Sequence, residues 1–179
     1  MSPVSFAQVC AARDFIRQYL MPTPMYRYPS LERLLGTQVH LKHENHHMVG
    51  AFKVRGGVYL VGTLPEEQKR KGIIGATRGN HGQSLAYAGR LFGVKVLIVV
   101  PQGNNPEKNE AVRLLEAELI EHGRDYDEAV KLVEELTLQH GYRYVHSANE
   151  PKLIAGVGTY SLEVFEQLPE AEVMIVPVG

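Results

Sequence analysis

The sequence has a single cysteine, Cys10, and no tryptophan among its 179 residues. One thiol excludes an intrachain disulfide and any zinc centre built from two to four thiolates, and it suits a reducing compartment. An excess of one charge is also missing: 19 lysines and arginines stand against 20 acidic residues, leaving a net charge of -1. Without a global basic field the chain is not equipped to gather nucleic acid or an anionic membrane surface, so a small molecule is the expected partner. The first twenty residues lack a basic leader, and Arg13, Asp14 and Arg17 break their apolar stretches. Neither a signal peptide nor a membrane span is expected there, and a cytoplasmic location follows as an expectation. No 20- to 50-residue repeat and no low-complexity run occurs, which sets aside solenoids and linkers.

What is present is an ordinary globular composition, 44% hydrophobic and 22% charged, with enough chain for one domain of usual size. Short β-branched runs at 39–41, 73–76, 94–100, 118–120, 142–145 and 173–178 alternate with amphipathic stretches. The helical pattern predicts helices over 6–19, 30–35, 52–63, 82–92, 106–116, 126–140 and 153–168. Gly36, Gly93 and Gly141 stand where a left-handed residue ends a helix, and Asp125 stands where a side chain caps one. The nearly all-apolar VKVLIVV at 94–100 fits a strand covered on both faces. The alternation predicts an α/β fold, a parallel, doubly wound sheet flanked by helices, with ligands bound beyond the C-terminal ends of its strands.

Several segments have the residue types for chemistry. In GAFKVRGG, 50–57, Lys53 follows an aromatic residue at what reads as a helix start. The positive helix end favours a neutral, nucleophilic amine able to form a Schiff base, whereas spacing alone allows the commoner case of a solvated lysine. TRGNHGQS, 77–84, falls between the strand IIGA and a helix. Such a junction presents backbone N–H groups to a carboxylate or phosphate; the alternative is a tight turn with Asn80 as the cap. VMIVPVG, 173–179, reads as a buried strand cut off at its tip, as in a fragment. HLKHENHH brings His40, His43, His46 and His47 together, but on a strand His40 and His46 lie too far apart to share a metal, so solvated loop histidines are expected. EEQKRK, 66–71, reads as a solvated helix end.

In order and spacing, PTP (22–24), HLKHEN (40–45), GAFKVRGG, ATRGNHGQSLAYAGRLFG, VKVLIVVPQGNNPEKNEAV and ANEPKLIAGVGTYSLEVFEQL resemble the threonine dehydratase and serine racemase group. These are pyridoxal-phosphate enzymes of the tryptophan-synthase-β-like fold, fold type II. The pair Thr77 and Arg78 before Gly-Asn-His is similar to the branch known as hydroxyectoine-utilisation dehydratases. The resemblance implies that Lys53 holds pyridoxal 5′-phosphate, that Phe52 packs on its ring and that Asn80 bonds its phenolic oxygen. It implies that Thr77, Arg78, Gly79, Asn80 and His81 bind the substrate carboxylate. The implied reaction is β-elimination from a hydroxy amino acid to a 2-oxo acid and ammonia, with Lys53 as the base and the cofactor phosphate as the acid for the leaving hydroxide. Racemisation or β-replacement on the same scaffold, and a non-catalytic module pairing through its sheet edge, are the rival readings.

Two departures stand out. Ala51 replaces a serine usual before the Phe-Lys pair, and Arg78 replaces a hydroxyl residue that racemases use as a second proton-transfer group. A guanidinium stays protonated, so racemisation is not expected, and an inward-pointing Arg78 would suit a second carboxylate on the substrate. Relatives continue past Gly179 with a glycine-rich phosphate cradle, of which Gly179 would be the first residue, and later supply a partner for the ring nitrogen. The resemblance therefore implies a truncated chain: 1–51 as part of a large domain, 52–145 as a small domain and 146–179 as an incomplete return to the large one. Cofactor binding by these residues alone is expected to be weak or absent, and relatives imply a homo-oligomer.

Overall fold

A computed structural model describes residues 4–177. The first helix, α1 (Phe6–Ile16), is fixed by a capping box in which Ser5 Oγ accepts from the Gln8 N–H and Gln8 Oε1 accepts from the Ser5 N–H. Strands β1 (Met25–Arg27) and β2 (His40–Lys42) pair antiparallel on either side of α2 (Pro29–Leu35). A 3₁₀ turn, Glu44–His46, then leads to α3 (Lys53–Gly62) and α4 (Glu66–Lys71). The rest alternates: β3 (Ile73–Ala76), α5 (Asn80–Phe92), β4 (Val96–Val100), α6 (Pro106–Leu114), β5 (Glu118–Glu121), α7 (Tyr126–His140), β6 (Arg143–Tyr144) and α8 (Pro151–Gln167).

Strands β3 to β6 form one parallel sheet in the order β5-β4-β3-β6, with Ile73 opposite Val96 and Leu97 opposite Glu118. Alternate residues of the central strands serve opposite cores. Ile73, Val96, Ile98 and Val100 pack with Val58 of α3, Leu85 and Ala88 of α5 and Val112 of α6. Ile74, Ala76, Leu97 and Val99 pack with Ala129 and Val133 of α7. Every residue of β3 and β4 is buried, and each such Val, Leu or Ile side chain contributes about 1.5–3 kcal/mol. The doubly wound α/β expectation is met, with the loop after β3 at the C-terminal edge of the sheet.

Helix α3 runs between α5 and α8, and two mid-helix glycines make that possible. Each costs about 1 kcal/mol relative to alanine in an isolated helix. Here a Cβ on Gly56 would lie 2.9 Å from the Leu153 carbonyl oxygen of α8, and one on Gly57 would lie closer still to Ser84 of α5. Gly156 on α8 completes the crossing: its Cβ would fall 2.7 Å from the Arg55 carbonyl oxygen.

Gly36, Gly93 and Gly141 close α2, α5 and α7 in the left-handed region, and Asp125 caps α7 by accepting from the Glu128 N–H. Helix ends otherwise shift by a few residues from the expected bounds. Four expectations need correction. No strand forms over 173–177; Val173 is 79% and Ile175 93% exposed, because no neighbouring strand among the described residues offers backbone partners. Val178, and Gly179 with its expected phosphate role, lie outside the described residues. Met25–Arg27 is a strand the apolar pattern did not mark, held by pairing rather than by burial. EEQKRK forms a short helix of its own. Among 40–47 the strand stops at Lys42, and His47 is buried rather than solvated. Among the described residues no helix is long and apolar enough to cross a membrane.

Candidate functional site

Lys53 is the first residue of α3, with Phe52 at its N-cap. Its side chain is half-buried, and its Nζ lies 5.8 Å from the Phe52 ring centroid. Among the described residues that amine has no hydrogen-bond or ion-pair partner. Phe52 also leans on Tyr160 of α8, with ring centroids 5.8 Å apart. The backbone beneath the amine is fixed from α5, where Ser84 Oγ donates to the Lys53 carbonyl oxygen at 2.6 Å.

The loop from Thr77 to Gly79 joins β3 to α5, so the same helix carries both Ser84 and the loop's end. Asn80 does not cap α5, contrary to the turn reading: Gly79 holds the N-cap position and Asn80 is the first helical residue. The Gly79 N–H donates to Thr77 Oγ1 at 2.9 Å. The Gly82 and Gln83 N–H groups turn back to the Gly79 carbonyl oxygen. Among the described residues, the N–H groups of Arg78, Asn80 and His81 have no acceptor. Three free donors at the positive end of a 13-residue helix form a ready anion site.

His81 anchors this turn to the sheet. It is 4% exposed, and its Nε2 lies 3.3 Å from the Val145 carbonyl oxygen, beyond the end of β6. A carbonyl can only accept, so Nε2 carries the proton. Burial lowers the His81 pKa to about 4; the Val145 carbonyl pulls the other way, and the charges of Lys53 and His146 depress it further. The imidazole is therefore neutral at pH 7. Arg78 is exposed and forms no ion pair among the described residues. Lys108 of α6 reaches across to the same turn, with its Nζ 3.5 Å from Asn80 Oδ1.

The structure also assembles a charge cluster that the sequence patterns did not reveal. Arg55, 1% exposed, uses all five of its N–H donors. Nε and Nη2 donate to the two Glu44 oxygens at 2.7 and 2.8 Å. Nη1 and Nη2 donate to the two Glu163 oxygens at 2.6 and 2.9 Å, and Nη1 also reaches Thr159 Oγ1 at 3.2 Å. Lys42 completes the set at 2.6 Å from Glu163. Burial alone would raise the Glu44 pKa, but His47, Arg55 and Thr23 outweigh it and bring the carboxyl down to about 2. Glu163 is likewise lowered against its burial, by Arg55 and Lys42. The available signal was Arg55 itself, a charge set between the apolar Val54 and Val58 of α3, which when buried requires carboxylate partners.

Two open hollows, of about 270 and 260 Å³, lie away from this loop, one beside Gly89 and Ala117 and the other between Met21 and His47.

Residues 16–179 match the family described as pyridoxal-phosphate dependent enzyme. The L-threonine ammonia-lyase of Thermotoga maritima is 38% identical over 98% of this chain and 44% of its own length. The L-threo-3-hydroxyaspartate ammonia-lyase of Saccharomyces cerevisiae is 31% identical over 98% of this chain and 54% of its own. Among solved structures, the T.th. threonine deaminase superposes with a TM-score of 0.85 at 32% identity, covering 95% of this chain and 54% of that one. The chain spans about half the length of these relatives.

Proposed function

Because this chain belongs to the family of pyridoxal-phosphate-dependent enzymes, we propose that the intact protein carrying it is a β-eliminating ammonia-lyase. It converts a hydroxy amino acid into a 2-oxo acid and ammonia, as a threonine dehydratase does. The observation that carries this reading is the unpartnered Lys53 amine at the start of α3, whose carbonyl Ser84 of α5 holds, together with the free N–H groups at the start of that same α5. That donor set fits the cofactor: an amine for its aldehyde, an aromatic face for its ring, an amide for its ring oxygen and an anion site for a substrate carboxylate. When bound, the cofactor supplies an electron sink for negative charge at the substrate Cα.

The chain's own residues do the rest. Lys53 would hold the cofactor through its amine and would take the proton from the substrate Cα as a general base. Phe52 packs against the ring, and Asn80 donates to the ring oxygen. Thr77, Arg78, Gly79, Asn80 and His81 hold the α-carboxylate, chiefly through backbone N–H groups, and the Thr77 hydroxyl proton remains free to join them. The net change is loss of the Cα proton and the β-hydroxide together as water, followed by addition of water and release of ammonia to leave the 2-oxo acid.

The finer parts of the proposal follow the same lines. Residues 52–145 form a small domain, 1–51 and 146–179 belong to a larger one, and Gly179 starts a phosphate cradle. A substrate with a polar or anionic tail is read by Arg78 only when that exposed, unpaired side chain turns inward on binding, and the Thr77–Arg78 pair is the basis for the hydroxyectoine-utilisation branch. A cytoplasmic homo-oligomer completes the reading.

Borohydride reduction of the intact protein followed by peptide mapping is expected to leave a pyridoxyl label on Lys53. Loss of the base alone should cost Lys53→Ala about 10²–10⁴-fold in turnover. A label on another lysine, or none, overturns the assignment.

A further inference from the structure

We propose that Lys108 is a positioning residue for this site: its ammonium sets the orientation of the Asn80 amide, so that Nδ2 rather than Oδ1 faces the cofactor. The inference rests on the functional reading above and adds a residue that the motifs around Lys53 and Asn80 do not contain.

Lys108 lies in the first turn of α6, where Asn105 Oδ1 accepts from the backbone N–H groups of Glu107 and Lys108 at 2.9 and 3.3 Å. Its half-buried side chain crosses to the start of α5 through space that Gly79 leaves open. A Cβ on residue 79 would stand 2.6 Å from Lys108 Nζ and 2.9 Å from its Cδ. At the end of this path Nζ faces Asn80 Oδ1 at 3.5 Å. Among the described residues no carboxylate pairs with it, although acidic neighbours flank it in sequence at Glu107 and Glu110.

The chemistry of the two groups fixes the outcome. An ammonium has donors and no acceptor, so the amide must turn its oxygen toward Lys108 and present its two N–H donors elsewhere. A cation against the amide oxygen also polarises the group and strengthens those donors. A ring oxygen accepting from Nδ2 is held in its ionised form by the donor, and the nearby positive charge acts in the same sense. Without Lys108 the amide is free to flip and offer Oδ1, which an ionised oxygen repels.

Two variants of the intact protein test this by different routes. Lys108→Met keeps the stem and removes the charge. Gly79→Ala keeps the charge and displaces it, so the test stands even if one variant fails to fold. In both, cofactor affinity measured by fluorescence titration is expected to fall about tenfold, and the pH dependence of the bound cofactor's visible absorption is expected to shift. In an Asn80→Ala background, Lys108→Met should add little to either readout, which a purely structural lysine would not show. If borohydride labels Lys53 while folded Lys108→Met and Gly79→Ala retain wild-type affinity and pH titration, the Lys108 inference falls and the functional reading stands. If the unmutated protein carries no label on Lys53, both fall.

Discussion

Two clusters of charge lie close together along α3 and have opposite organisation. Around Arg55, two cations and two carboxylates are buried and matched, with every guanidinium donor used. At the start of α3 and at the loop after β3, Lys53, Arg78 and Lys108 have no carboxylate partner among the described residues. Removing charges from water is costly, and the first cluster offsets that cost internally. The second leaves its cations and free N–H groups for an anion that arrives from outside. A satisfied cluster holds the fold, whereas an unsatisfied one is prepared to bind.

The contrast is broken most directly by removing Arg55. Arg55→Met leaves Glu44 and Glu163 buried without their main partner and is expected to cost about 3–5 kcal/mol in urea unfolding. Stability unchanged to within about 1 kcal/mol would show that the cluster is not structural.

Acid separates the two regions on the pH axis. His81 has a native pKa of about 4 against an ordinary 6.5, so its contribution is intact above pH 6.5 and lost as pH falls toward 4. The loss by pH 4 is about 3 kcal/mol. Glu44, lowered to about 2 from 4.5, keeps its contribution above pH 4.5 and loses it toward pH 2. Unfolding curves collected from pH 7 to 3 should therefore fall in two stages. His81→Gln, which still offers a donor to Val145, should flatten the first stage and spare the second; a first stage unchanged in that variant would contradict the assignment.

The smallest effect concerns Arg78. If it reads a substrate tail, Arg78→Ser should narrow the preference for 3-hydroxyaspartate over serine and threonine by about tenfold in kcat/KM. An unchanged ranking would leave Arg78 a solvated residue, with the loop's free N–H groups as its anion site.

The central sheet was legible because IIGA and VLIVV are apolar on both faces, which only a doubly covered strand tolerates. The three C-terminal glycines and Asp125 were legible because caps are local. Lys53 and the 77–81 loop stood out as motifs because each is a short contiguous run at a helix start. The Arg55 cluster was not, because its partners Glu44 and Glu163 come from distant segments and each looks like an ordinary surface charge. Lys108 was hidden for the same reason, in the charged first turn of an amphipathic helix. The run at 173–178 misled because apolar alternation specifies a strand only where another strand waits beside it.

The glycine crossing of α3 and α8 has a consequence for precision. Side chains at most helix crossings exchange rotamers, and the separation of the helices varies with them. At Gly56 and Gly156 main chain meets main chain, so there are no rotamers to exchange, and the spacing is set by hard atomic radii. Lys53 lies one turn upstream of that contact. The root of its side chain is in effect clamped to a reference surface, and the uncertainty in where the amine can reach reduces to the torsions of its own four methylenes. Inserting one methyl group at Gly156 would move that origin, and the reach of the amine would shift with no change to any residue that touches it.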